Sequence, residues 1–368
     1  METAAERPSQ GSVYVRDYIY SAFQSKRTTR RIGHFIPRAS FDSKTGSVKI
    51  AIVFSTFPNM VDSTDQRPIS VGIEIAHNAL HAAVLGGDDV VTLTRTVYMG
   101  DDGGSVVTKL IELVESLRQD FTALDRCGIA VPGLIDRVSG RVAFSANIPH
   151  HSEVDLVSEL KAATGLNVVI ENDANAAAIG EYEIGAGRGS KNVFYATLGE
   201  GVGGAFIFDG TIWRGAAGFA GEFGYVPINS EGTRLEDVAS AANIIRRTRS
   251  RFHQDNTSSL NKLSEEAITL EDIIAAAGKD DDFAAMMLVR TGNYVGTAIA
   301  SVINLLNIEK IVIGGEIMQA RRLVLEAIIG RARELSFEPS FNSTSIVVGE
   351  LGINAASIGA ALISRNGN

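Results

Sequence analysis

Two short stretches carry residues whose types and spacing could do chemistry. In the first, Asn172 and Asp173 follow an apolar run, "LNVVI", and precede "ANAAA", so they stand where a strand gives way to a helix. A carboxylate at a helix start is held by N-terminal N–H groups and can accept a hydrogen bond from a hydroxyl. The same residue can equally serve only as the helix N-cap. In the second stretch, "VFYATLGEGVGGAFIFDG" (193–210), two apolar strand-like runs flank a glycine-rich turn at 199–204. Such a turn offers backbone N–H groups to an anion. Yet Glu200 places an acid where a phosphate would sit. At about 4 Å and an effective dielectric near ~20, that repulsion costs about 4 kcal/mol, roughly a thousandfold in affinity.

The elements that must position these groups read in a regular order from Ser70. "SVGIEIA" and "LHAAVLG" form a hairpin pair, 106–117 an amphipathic helix, and "RCGIAVPGLID" a buried strand entering a Pro-Gly turn. A helix (154–163), a strand ("LNVVIEND") and a helix (174–184) follow. After the glycine-rich hairpin come a Gly-rich loop (214–224), a largely helical stretch (236–307), a strand ("KIVIGGEI"), a helix (319–334), a strand ("TSIVVGELG") and a closing helix ("AASIGAALIS"). Two βββαβα-like halves emerge, each opening on a hairpin. This predicts an α/β chain of the two-lobed actin/hexokinase (ribonuclease H-like) type, with a central interlobe cleft. The boundaries read as a small lobe at 70–185 plus 355–368 and a large lobe at 186–354.

Residues 1–69 read as a separate module and linker. A loose tail covers 1–12, a short helix pattern 15–23, and a second short helix runs through Ile36 to be ended by Pro37. Residues 38–55 fit either a recognition helix or a β-hairpin; Gly46 and the alternation of Val48, Ile50 and Ile52 favour the hairpin. The 368-residue chain carries a net charge of −9, with +4 on residues 1–69 and −13 on the remainder. The main body therefore repels nucleic acid, and only the N-terminal segment attracts it. The single cysteine, Cys127, excludes an internal disulfide and reads as a buried structural thiol. With no apolar run near the roughly 20 residues that span a bilayer and a polar opening segment, the expectation is a soluble, cytoplasmic protein with no membrane partner.

Five blocks in order resemble the ROK family of repressors and sugar kinases: "GIAVPGLID" (128–136), "VIENDANAAAIGE" (169–181), "LGEGVGGAFIFDGTIWRGAAGFAGEFGYVPI" (198–228), "IVIGGEI" (311–317) and "GINAASIGAAL" (352–362). The resemblance spans about 70–364. It implies a sugar site made by Asn147, Asn172, Asp173, Glu222, Tyr225 and Glu236, for a hexose, an N-acetylhexosamine or a phosphosugar. In the family's kinases the residue matching Asp173 is the catalytic general base. Glu236 can also be read as a solvated acid at a helix start, and Tyr225 as a packing residue. Tyr225 stands where the family usually has His, and the family's cysteine-rich loop is absent, so the family's structural zinc is not expected here.

The nucleotide side departs further. The resemblance assigns it to Glu74, Asn78, Gly199, Glu200, Gly201, Gly203, Gly314 and Gly315. The kinases' Asp-x-Gly-Gly-Thr hairpin is replaced by Glu74-Ile75-Ala76-His77-Asn78, Glu200 stands where Thr is usual, and Glu316 where a third glycine is common. These changes look like the regulator branch. The expectation is a non-catalytic, sugar-responsive transcription regulator, with residues 13–69 as a degenerate winged helix-turn-helix or hairpin extension that contacts DNA. The alternative is an ATP-dependent hexose kinase using Mg·ATP, with Asp173 as base. The resemblance also implies a homodimer or homotetramer.

Overall fold

The computed structural model describes residues 36–42, 47–53, 68–99, 105–136, 139, 141–145 and 155–366. Ile36–Asp42 (β1) and Ser47–Val53 (β2) pair as a two-stranded sheet, so the backbone takes the hairpin alternative and not a recognition helix. Ile36 begins a strand where a helix end was expected, because the residue before a proline is disfavoured in the helical region. The expected helices upstream lie outside the described residues, as does Asn147.

The body contains two sheets built to one plan. In the first, Ile69–Ile75 (β3), Ala79–Leu85 (β4) and Val91–Tyr98 (β5) form an antiparallel meander. After Val106–Asp120 (α1), Leu124–Val131 (β6) adds parallel to β3. Leu134–Asp136 (β7) and Arg141–Phe144 (β8) make a small hairpin, and Leu156–Thr164 (α2) leads to Asn167–Asn172 (β9), parallel to β6. The order is β5-β4-β3-β6-β9. Asp173–Glu183 (α3) then crosses to the second sheet. Val193–Leu198 (β10), Val202–Phe208 (β11) and Thr211–Trp213 (β12) repeat the meander.

The helical stretch is Glu236–Ala239 (α4), Ala241–Arg249 (α5), Leu270–Ala277 (α6) and Asp282–Leu306 (α7). Lys310–Gly314 (β13), Arg322–Leu335 (α8), Glu338–Asn342 (α9), Ser345–Val348 (β14) and Ala355–Asn366 (α10) complete the chain. The second sheet runs β12-β11-β10-β13-β14. Among the described residues no helix is long and apolar enough to cross a membrane.

Each sheet is buried on both faces, which is why its central strands read as near-continuous apolar runs. Helices α1 and α2 cover one face of the first sheet through Leu110, Val114, Leu117 and Leu160. Helices α6, α7 and α8 cover the outer face of the second through Ile273, Met287, Ile299 and Ile328. Between the sheets lie α3 and α10, packed with Ala130, Ala176, Ala205, Val312 and Ala360. Their approach is backbone to backbone: a Cβ at Gly359 would fall 1.7 Å from the Ala176 carbonyl oxygen, and one at Gly72 1.8 Å from that of Ser357. The two chain segments that leave and re-enter this layer are tied by Glu181. Its buried carboxylate accepts the N–H groups of Ala186 (2.8 Å), Glu350 (3.0 Å) and Leu351 (2.9 Å).

This packing separates two chemically identical substitutions. Gly359→Ala forces a methyl into a helix backbone and is expected to cost at least about 2 kcal/mol. Gly330→Ala in α8, with nothing within 4 Å of the new Cβ, is expected to gain up to about 1 kcal/mol by raising helix propensity. Urea unfolding midpoints check both; equal shifts would refute the close-contact account.

Candidate functional site

The site grows from the end of β9. Asn172 is the N-cap of α3: its Oδ1 accepts the Asn175 N–H at 3.0 Å. Asp173 is therefore not the cap, since a neighbour of equal capping ability occupies that place. Freed from capping, Asp173 accepts the Ala174 N–H (2.9 Å) and an N–H of the Asn172 amide (2.9 Å) through Oδ1. The same Asn172 amide donates to the Gly133 carbonyl (3.0 Å), fixing the junction to the Pro132-Gly133 turn. Burial is the main force on Asp173 and lifts its pKa to about 6, against the pull of these donors; the charge of Glu222 adds to the rise.

Three further carboxylates stand here, Glu222 coupled to Glu236 and Glu74 to Asp173. Glu222, at the end of the Gly-rich loop, is raised by desolvation and by Glu236. Glu236 opens α4 and its Oε2 accepts the Val202 N–H at 2.8 Å, so it is anchored to the β10–β11 turn and is not a freely solvated helix-start acid. Glu74, on β3, is raised to about 8 by burial and then by the charge of Asp173. Tyr225 stands apart from these contacts in an exposed position, its ring beneath the Arg234 guanidinium at 4.6 Å. After Tyr225 the chain turns back on itself: the Leu235 N–H donates to the Val226 carbonyl and the Ile228 N–H to that of Thr233, both at 2.9 Å.

The glycine-rich turn is not an open cradle. The Gly199 N–H donates to the Gly201 carbonyl (3.0 Å), and the Val202 N–H is taken by Glu236. Gly203 lies in β11 opposite Thr197, and a Cβ there would meet Ala174 at 3.2 Å, so the hairpin abuts the first turn of α3. Gly314 ends β13 against the buried Tyr195 hydroxyl, which would be 2.2 Å from a Cβ. Gly315 has φ +91°, with no room beside the Leu198 backbone. Glu316 follows; its buried Oε1 has no partner, and it stands next to Gly199. Desolvation, then the charges of Glu200 and Glu271, push its pKa to about 7. In the β3–β4 turn the Ala76 N–H donates to the Ala79 carbonyl (2.9 Å), and His77 and Asn78 are exposed.

The structure thus joins Glu74, Asn172, Asp173, Glu222 and Glu236 into one acidic site, with Glu200 and Glu316 meeting at its neighbouring loop. Sequence reasoning missed Glu171, whose carboxylate is buried on β9 and paired with Arg214 at 2.8 Å. The available signal was a charged residue inside the apolar run "NVVIEN". It also missed Glu181, which sits in an otherwise alanine-rich helix.

The ROK family profile matches residues 70–366. A glucokinase from Thermotoga maritima is 33% identical over 311 residues, 80% of this chain and 96% of that protein. A xylose repressor from Caldicellulosiruptor bescii is 28% identical over 310 residues, 79% of this chain and 75% of that protein. Among solved structures, a ROK family glucokinase from Streptomyces griseus in complex with glucose and AMPPNP is similar at a TM-score of 0.72 and 26% identity, over 81% of this chain and 99% of that one. The fold is accordingly the two-lobed actin/hexokinase type.

The raised carboxyls make a signed pH prediction. Folded Glu74 keeps its proton from its ordinary 4.5 up to about 8, whereas the unfolded chain has lost it. Stability from this group therefore falls as pH rises through that window. Glu74→Gln mimics the protonated form and is expected to flatten the fall, leaving the variant more stable than wild type at pH 8 by on the order of 2 kcal/mol. Denaturant titrations at pH 5 and pH 8 check it; an unchanged difference between the two pH values would refute it.

Proposed function

Because the chain belongs to the ROK family, we propose that it is a sugar-binding regulator that holds its ligand at the β9–α3 junction and transfers no phosphoryl group. The observation that carries this reading is the meeting of Glu200 and Glu316 beside the β10–β11 turn, where a family nucleotide would place its phosphates. A phosphate there would face two acids, one with a buried oxygen already lacking a donor, and would find the Gly199 and Val202 amides already engaged. Mg·ATP does not fit these residues.

The sugar side supports binding. Asp173, Glu222 and Glu236 supply acceptors within one electrostatically linked set that Asn172 holds in place; of the other residues the resemblance names, Asn147 lies outside the described residues and Tyr225 stands apart in an exposed position. A polyol needs such a set, because each unmet buried hydroxyl costs about 1–3 kcal/mol. The ligand class is a hexose, an N-acetylhexosamine or a phosphosugar, and the name of the xylose repressor relative adds a pentose to be tested. The basic segment 13–69 is the proposed DNA contact; the strands at 36–42 and 47–53 weigh against a major-groove recognition helix there, and sugar binding shifts its DNA affinity by favouring one arrangement of the lobes. A second reading, an ATP-dependent sugar kinase, draws on the 33% identity to a glucokinase and on Asp173, whose pKa near 6 suits a general base.

The test pairs calorimetric binding of D-glucose, D-xylose and N-acetyl-D-mannosamine with ADP release from Mg·ATP on the same sugars. The expected result is binding of at least one sugar without turnover, and a loss of about tenfold or more in that affinity for Asp173→Asn, as expected for a buried charge-assisted bond. Sugar-dependent ADP release that disappears in Asp173→Asn would overturn the regulator reading in favour of the kinase.

A further inference from the structure

Arg214 leaves β12 and opens the loop 214–221, which ends beside Glu222. The loop has two anchors of different kind. At its far end Gly221 lies flush on β11 of its own sheet, with a Cβ there 2.2 Å from the Gly204 carbonyl oxygen. The Ala220 N–H closes the loop onto the Arg214 carbonyl at 3.1 Å. At its near end Arg214 reaches to the other sheet: its Nη2 donates to Glu171 Oε2 at 2.8 Å. Glu171 is 2% exposed, and its Oε1 accepts the Asn172 N–H (2.9 Å) and the Asn175 amide (3.1 Å). The acid that receives Arg214 therefore also sets the two residues that cap α3 and place Asp173.

Two features mark this pair as more than a static brace. A buried carboxylate depends on its donors, because it has lost its water, so the loop end and the cap of α3 are energetically tied. The pairing is also incomplete. Arg214 Nε is buried without a partner, so one N–H prong engages Glu171 where a guanidinium–carboxylate pair commonly uses two. Because Oε1 already accepts two hydrogen bonds, a second prong would have to join the first on Oε2.

We propose that Arg214 is a positioning residue of the sugar site, and that its ion pair with Glu171 is a latch. A sugar that bridges Glu222 on the loop and Asp173 on α3 draws the loop inward and completes the pair. The sugar-dependent half rests on the functional reading above; the latch itself stands on the geometry alone. The protein carries its own reporter, since its single tryptophan, Trp213, adjoins Arg214 and is half exposed.

The experiment uses full-length protein and the variants Arg214→Met, Arg214→Lys and Glu171→Gln. Acrylamide quenching of Trp213 is measured without sugar, and affinity by titration with D-glucose, D-xylose and N-acetyl-D-mannosamine. The latch predicts stronger quenching in Arg214→Met, a loss of about tenfold or more in affinity for whichever sugar wild type binds, and partial recovery of both in Arg214→Lys. Quenching equal to wild type in Arg214→Met and Glu171→Gln overturns the latch. A lower melting temperature with unchanged sugar affinity overturns the positioning role. If Arg214→Met does not fold, Arg214→Lys and Glu171→Gln decide by the same readouts. If wild type binds none of the three sugars, the functional reading and the sugar-driven closure fall together, while quenching still decides the latch.

Discussion

The contact on which the rest of the molecule depends is the backbone-to-backbone approach of α3 and α10 between the two sheets. Gly359 rests against the Ala176 carbonyl, and Gly72 and Gly128 of the first sheet rest against α10. That approach removes side chains where the first sheet meets α10 and where α10 meets α3, so α10 packs on the first sheet and α3 on the second within one layer. It also decides where chemistry can occur. Helix α3 must start where β9 ends, and its first turn must meet the β10–β11 hairpin at Gly203. Asp173 is thus delivered to the junction of the two lobes by packing that has no chemical role of its own. Glu181, gripping three backbone N–H groups at the other end of α3, holds the chain where it passes between them.

The price of this arrangement is charge. Glu74, Asp173 and Glu222 each feel a neighbouring carboxylate in a partly buried space, and the rise in pKa of each begins with lost hydration. Glu171 escapes the same fate because Arg214, the Asn172 N–H and the Asn175 amide replace the water it gave up. Glu316 does not escape it, because its buried oxygen has no donor and Glu200 stands near. The contrast between Glu171 and Glu316 separates a carboxylate held for structure from one left responsive to what approaches it.

Much of the fold was legible because apolar runs bounded by Gly and Pro mark buried strands, and the order of elements limits the topologies open to them. The glycine and the alternation around Val48, Ile50 and Ile52 distinguished strand from helix in β2. At the site, the residue types at 172 and 173 announced a helix start, but Asn and Asp cap equally well. Only the backbone geometry shows that Asn172 caps and Asp173 is free to act. The Arg214–Glu171 pair left no local pattern, since its partners come from different sheets. A charged residue in an apolar strand signals that some partner exists without naming it.

The glycine-rich hairpin shows how contacts within the chain can hold the shape of a turn. Its glycines are explained by neighbours within the chain: Gly201 lies against Glu236, Gly203 against Ala174, and Gly204 against Phe223. None of these contacts needs a phosphate, so the backbone shape persists whatever occupies the neighbouring space. What governs an anion's approach is the small set of side chains and free amides at the tip, and here Glu200, Glu316 and the Glu236–Val202 bond govern it in the same direction. Shape and charge are set by different residues in this loop, so the shape alone does not decide what the loop accepts.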